Sequence, residues 1–126
     1  IDRPFYINLT YEVIGNLLHS AVPNLHFYDE FGTRFFISFP EQACPAEKGT
    51  YTARCEIPPY MFNNGRFSVV IAMSSFSLAA PLHFAYEHAL RFEVVEQNLL
   101  DPRRHGWLAA LPGLSRPRLD WTYDKR

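Results

Sequence analysis

The chain has 126 residues, of which 48% are hydrophobic and 16% are aromatic, and this is enough apolar material for one domain with its own core. Charged residues make up 20% and the formal net charge is −1, so the basic surplus of a nucleic-acid-binding protein is lacking. No apolar run approaches the roughly 18 residues that a membrane span needs. The chain begins at Ile1 and shows no signal peptide, which predicts a domain excised from a larger protein.

Alternation of apolar and polar residues predicts three strands near the start of the chain. They cover Phe5–Ile14, Asn24–Asp29 and Thr33–Phe39. The second and third are joined at Glu30-Phe31-Gly32, which is predicted to make the hairpin. This part of the chain is therefore predicted to be antiparallel β structure.

The central stretch reads as strand, corner and strand. Gly49–Ile57 alternates with one apolar face, and Pro58-Pro59 ends it because proline has no N–H for the strand ladder. Tyr60–Phe62 is predicted to fold back as an apolar plug over the end of the core, and Asn63–Gly65 tolerates a sharp turn. A second alternating run follows over Phe67–Met73. Such a wide corner suits a chain that passes from one sheet of a sandwich to the other.

The end of the chain is less regular. Ser74–Glu87 is predicted to be a loop with a short irregular edge strand, and His88–Glu96 is predicted to be the last strand of the core. Residues 97–104 look like an exposed polar linker, and Gly106–Gly113 like a short helical turn. Arg116–Tyr123 again alternates like a half-buried strand and needs a pairing partner.

About seven short strands with frequent turn signals predict an all-β fold, an immunoglobulin-like antiparallel β-sandwich. Residues 1–96 would form the core, and residues 97–126 the linker and C-terminal strand of the same single domain. The two cysteines, Cys44 and Cys55, leave two alternatives open: a disulfide in an oxidising compartment, or two free thiols.

The central stretch resembles a known family. The order Gly49-x-Tyr51, Ile57-Pro58 and Asn63-x-Gly65-x-Phe67-x-Val69 is similar to the signature of the C-terminal carbohydrate-binding domain of Wzt-type O-antigen polysaccharide ABC transporter ATP-binding proteins. Other segments agree in their order along the chain, namely Phe5–Val13, Asp29-x-x-Gly32, Leu90-x-Phe92-x-Val94 and Arg116-Pro117-x-Leu119-x-Trp121.

The resemblance implies a non-catalytic domain that recognises the capped non-reducing end of an O-antigen polysaccharide and so couples chain completion to export. It implies an N-terminal nucleotide-binding domain in the same protein, a membrane-spanning exporter subunit as partner, and a cytoplasmic location at the inner face of the bacterial inner membrane. It also implies a homodimer in which the C-terminal strand is exchanged between subunits, with Leu119, Trp121 and Tyr123 at the interface.

A ligand-binding face is predicted from strand alternation. In an immunoglobulin-like layout, the second and third strands share a sheet with the strands that contain Arg66 and His88. The third strand is predicted to turn Phe35, Ile37 and Phe39 inward, which leaves Phe36 outward. Aromatic rings stack on sugars, while arginines and hydroxyls bind sugar oxygens. The candidate ligand-binding residues on this face are His26, Tyr28, Arg34, Phe36, Arg66, Ser68, Ser74 and Arg91. Cover by the tail or by a second subunit remains the alternative use of this face.

Motifs for catalysis, metals and cofactors are missing from the sequence. His83 and His88 are five residues apart, which places them on opposite faces of one strand and not in a preformed metal site. No paired-carboxylate motif, nucleophile elbow or Walker loop is present. We therefore expect no enzyme activity, no metal and no cofactor. A structural or dimerisation sandwich without its own ligand is the second hypothesis, and a fragment of a carbohydrate-active enzyme is the third.

Overall fold

Six strands form in the described part of the chain. The structure is a computed structural model that describes residues 1–15, 21–75 and 82–126, and for residues 82–89 the backbone only. The elements are β1 (Phe5–Val13), β2 (Val22–Asp29), β3 (Arg34–Ser38), β4 (Gly49–Ile57), β5 (Gly65–Ser74), β6 (Leu82–Val94) and one 3₁₀ turn (Pro102–Arg104). The expectation of an all-β fold is confirmed.

The strands form two antiparallel sheets. One sheet has two strands, β1 and β4, and the other has four in the order β3-β2-β5-β6. Consecutive strands β4 and β5 belong to different sheets, so the chain changes sheet at the corner that begins at Pro58. The predicted role of this corner is confirmed, and the two sheets pack through their apolar faces as in a β-sandwich.

β6 differs from its prediction. It begins at Leu82 and runs as one long strand at the edge of the sheet beside β5, so the expected edge strand is present, but it is continuous with the predicted last strand and no loop separates the two. The rest of that predicted loop, residues 76–81, lies outside the described residues, as does most of the loop after β1, residues 16–20. Shifts in the pairing of β5 with β6 occur after Val69 and after Met73, and they let the long strand follow the twist of its partner.

The core is built around Phe62. Its side chain is 2% exposed, which confirms the predicted plug at this residue, while Tyr60 and Met61 are half-buried. Ring centroids lie 4.7 to 6.1 Å from its own, and these rings come from β1, β2, β3, β5 and β6, namely Phe5, Phe27, Phe35, Phe36, Phe67 and Phe92. Tilted and edge-on ring pairs at these distances add to the gain from burial alone. One corner residue thus joins both sheets.

A bulge in β3 changes which residues face the core. Phe27 pairs with Phe36 and Tyr28 pairs with Arg34, so Phe35 is an extra residue on β3. Because one extra residue moves the following side chains to the other face, Phe36 packs inward on Phe27 with ring centroids 4.4 Å apart. The predicted inward positions of Ile37 and Phe39 are wrong, since these side chains are 44% and 48% exposed. The predicted outward position of Phe36 is wrong for the same reason.

A buried ionic cluster follows β6. The Glu96 carboxylate accepts hydrogen bonds from the guanidiniums of Arg104 and Arg116, the latter at 2.6 Å. The Arg104 side chain is only 4% exposed, so the expectation of an exposed linker is wrong at this residue. The amide oxygen of Asn63 accepts a further hydrogen bond from Arg116 at 2.7 Å. We call these four residues the Glu96 cluster.

The Glu96 cluster holds residues 104–116 against the corner. Arg104 donates to the carbonyl of Ala109 at 2.6 Å, and Asn63 donates to those of Leu111 and Gly113 at 2.6 and 2.9 Å. Buried polar groups of this kind need such partners, and here the loop carbonyls supply them. No helical turn forms over residues 106–113, although one was expected there.

The last residues, 117–126, form what we call the tail. The guanidinium of Arg118 lies over the Tyr60 ring, 3.6 Å from the ring centroid. The side chains of Leu119, Trp121 and Tyr123 are then 71%, 86% and 97% exposed. The predicted strand over 116–123 does not form in the single chain.

Candidate functional site

The outer face of the four-stranded sheet brings four predicted site residues into one row. Tyr28 on β2 pairs with Arg34 on β3 and with Ser68 on β5, and Ser68 pairs with Arg91 on β6. We call Arg34, Tyr28, Ser68 and Arg91 the outer row. Since neighbouring strands lie about 4.8 Å apart, the row extends about 15 Å across the sheet.

The outer row is held in place at its β3 end. Arg34 Nε donates a hydrogen bond to the Tyr28 hydroxyl at 3.2 Å, and its guanidinium lies 5.7 Å from the centre of the Tyr28 ring. Arg34 is exposed while Tyr28 is half-buried. The tyrosine hydroxyl and ring therefore hold the arginine side chain beside β2.

An open hollow of about 830 Å³ adjoins the β5 and β6 end of the row. Three of the predicted ligand-binding residues line it, namely Arg66, Ser68 and Arg91. Glu93 pairs across the strands with Arg66 and lines the same hollow. Phe67 and Phe92 add to the strand side of the wall, and residues 29–32 of the hairpin between β2 and β3 form the other side, so the sheet and the hairpin together make the depression.

The hairpin gives the hollow a rigid rim. One carboxylate oxygen of Asp29 accepts the backbone N–H groups of Phe31 and Thr33 at 2.9 and 2.8 Å. Gly32 has a φ of 81°, which favours glycine at this position. Phe31 is 85% exposed at the tip and lines the hollow, yet it is absent from the predicted set. An aromatic residue in a hairpin turn was the available signal.

The opposite end of the face is closed. Ser74 is only 7% exposed and accepts a hydrogen bond from Asn24 Nδ2 at 3.3 Å, so its predicted place on an open surface is wrong. Asn24 Oδ1 lies 2.7 Å from His26 Nε2, which fits a neutral imidazole that donates its Nε2–H. Burial, and then the charge of Arg34, lower the pKa of His26 and favour this neutral form.

Six of the eight predicted residues therefore lie on the outer face, and two do not. Phe36 belongs to the core because of the bulge, and Ser74 belongs to the buried Asn24 network. Alternation sufficed for the four on β2 and β5 because these strands pair without a shift, and Arg34 and Arg91 lie on the side of each shift that pairs with Tyr28 and Ser68.

A second cavity, of about 380 Å³, is lined by β1 and β4 of one sheet, by β2 of the other and by the segment 38–45. Tyr11 and Tyr51 line it with ring centroids 5.8 Å apart, together with Cys44 and Cys55. Both cysteines are free thiols, and burial raises the pKa of each, so neither is an activated nucleophile.

Across residues 1–15, 21–75 and 90–126, whose side chains the structure describes, no three His, Cys, Asp or Glu side chains come together as a metal site. The same ranges contain no helix with the length and apolar character needed to cross a bilayer. No protein-family model matches this chain, and no curated protein matches it.

Proposed function

We propose that this domain is a non-catalytic glycan-recognition module that binds the capped non-reducing end of an O-antigen polysaccharide. The observation that supports it is the outer row with its adjoining hollow, which places guanidiniums, hydroxyls and an aromatic ring on one exposed face. Guanidiniums and hydroxyls bind sugar oxygens, and an aromatic ring covers the apolar face of a sugar.

The proposed context is an immunoglobulin-like domain behind the nucleotide-binding domain of a Wzt-type exporter, at the cytoplasmic face of the inner membrane. In that setting, binding of a finished glycan would mark it for the membrane-spanning subunit. The residues that carry the resemblance are structural: Asn63 is buried, Phe67 is in the core, and Gly65 has a φ of 156°. They support the proposed fold, while the ligand would be recognised by other residues.

Replacing Arg66 or Arg91 by alanine should weaken glycan binding about tenfold or more, because a hydrogen bond to a charged group contributes about 1.5–3 kcal/mol. Arg34→Ala should act in the same direction from the other end of the row. Melting temperatures should stay near that of the wild type, since all three side chains are exposed. Titration calorimetry of the domain with purified O-polysaccharides, with and without their end caps, measures the effect.

Arg54→Ala is the matched control. This arginine is exposed on the other sheet, where it lies 3.7 Å from the centre of the Tyr6 ring. Normal binding by the three outer-face variants and loss of binding by Arg54→Ala would move the site to the sheet of β1 and β4. No binding of any capped polysaccharide at millimolar concentration would contradict the proposed function itself.

The alternative function is a structural or dimerisation module, and the tail favours it. Leu119, Trp121 and Tyr123 share one face of a period-2 pattern, yet all three are exposed in the single chain. The two-stranded sheet also leaves one edge of β1 and one edge of β4 unpaired among the described residues. Exchange of the tail between two copies would pair the tail and cover one such edge. Glycan binding and dimerisation can coexist, since they use different parts of the chain.

Removing residues 119–126 should convert a dimer to a monomer. The cut follows Arg118 because a shorter chain that ends at Gly113 would also remove Arg116 from the Glu96 cluster. Light scattering coupled to size exclusion measures the mass, and Leu119→Ser with Trp121→Ser in the full chain tests the apolar face separately. A monomeric full chain, or a truncated chain that still dimerises, would contradict strand exchange.

A further inference from the structure

The backbone of Phe31 is held by the hairpin turn at the rim of the hollow. Besides the two hydrogen bonds to the Asp29 carboxylate, the turn is closed by Asp29 N–H to Thr33 O at 2.9 Å and Gly32 N–H to Asp29 O at 3.2 Å. The ring itself is 85% exposed and contributes little to the core. The ring therefore projects from an ordered turn, so a ligand that stacks on it does not have to order the main chain as well.

The charges around the hollow do not favour an anion. Its walls carry three carboxylates, from Asp29, Glu30 and Glu93, and two guanidiniums, from Arg66 and Arg91. An acidic group placed here would meet at least as much negative as positive charge. A hydroxyl both donates and accepts, so it can bond to a carboxylate and a guanidinium at once.

We infer that the hollow takes an uncharged terminal sugar residue, with its ring stacked on Phe31 and its hydroxyls bound by Glu93, Arg66 and Arg91. This inference rests on the proposed function and adds to it the class of terminal residue and a specificity-determining side chain. The stacking ring recognises the apolar face of the sugar, and the mixed charges select against carboxylate- or phosphate-bearing ends.

The test uses the whole chain and a panel of labelled oligosaccharides that end in a hexose, a hexuronic acid or a hexose phosphate. Hexose-terminated probes should bind most tightly, and raising NaCl from about 50 to 500 mM should change their affinity by less than about twofold, since screening acts on charge pairs. Phe31→Ala should weaken binding about three- to tenfold, while Phe31→Trp should retain it. Phe39→Ala, at a phenylalanine outside the hollow that is 48% exposed, should leave binding unchanged.

Each outcome bears on a different claim. Wild-type binding that Phe31→Ala leaves unchanged would overturn the stacking role and keep the proposed function. A preference for acidic ends with steep salt dependence would overturn the uncharged ligand. If the wild type binds no member of the panel and also none of the longer capped polysaccharides, both this inference and the proposed function are overturned.

Discussion

Replacing Phe62 by alanine should lower the free energy of unfolding by about 3–5 kcal/mol, the usual cost of removing a buried phenylalanine. The ring is 2% exposed and contacts aromatic rings from both sheets, so its loss leaves a cavity that no single neighbour can fill. Because a domain of this size is stable by only about 5–15 kcal/mol, the variant should unfold at much lower urea concentration.

Phe31→Ala is the control for this prediction. It removes the same atoms from a ring that is 85% exposed, so its free energy of unfolding should change by no more than about 0.5 kcal/mol. Phe67→Ala should behave like Phe62→Ala, since Phe67 is 3% exposed and stacks on Phe92 of the neighbouring strand at 5.5 Å. Phe92 is half-buried, so Phe92→Ala belongs at the lower end of the range. A wild-type urea midpoint for Phe62→Ala would refute the proposed centre of the core.

Glu96→Ala should be the second strongly destabilising change, at about 3–5 kcal/mol. The substitution leaves the buried Arg104 and the largely buried Arg116 without their shared counter-charge, and an uncompensated buried charge costs this much. The loop of residues 104–116 should loosen first, because Arg104 ties its carbonyls to the cluster. Urea unfolding gives the total effect, and hydrogen exchange of the amides in this loop locates it.

The ion pair of Asp101 with Arg103 provides the comparison. Its atoms are 2.6 Å apart, but the Arg103 side chain is 60% exposed, and solvent screens such a pair. Asp101→Asn should therefore have a far smaller effect than Glu96→Ala on both measurements. Equal effects of the two substitutions would mean that the Glu96 cluster contributes no more than a surface pair.

Several features of the fold could be predicted from local pattern because they depend on neighbouring residues alone. The inward faces of β1 and β4 follow strict alternation, and the corner after Ile57 follows from two prolines and a glycine-containing turn. The shared sheet that gathers the outer row was also predicted, and the pairing of β2 with β5 bears it out. In these places local preference and tertiary packing agree.

The wrong predictions at β3 and at Arg104 share a cause, because each side chain is placed by residues that are distant in the sequence. The β3 bulge cannot be recognised in the run of Arg34-Phe35-Phe36-Ile37, because Phe35 and Phe36 are equally suited to either face. The core decides the matter, since both rings fill space around Phe62. The polar run that includes Arg104 likewise resembles a linker in the sequence, because only the folded chain brings Arg104 to its partner Glu96.

The sequence by itself determined the all-β class, the crossing between sheets at the central corner and most of the outer face, because these follow from period-2 alternation and from the backbone limits of proline and glycine. Only the tertiary structure decided that Phe36 faces inward, that Phe31 lines a hollow and that Arg104 is buried. These features depend on residues far apart in the chain. The position of a bulge depends on the core volume that its side chains must fill, and a hollow depends on the distance between a hairpin and two strands. A buried arginine depends on a carboxylate that balances its charge.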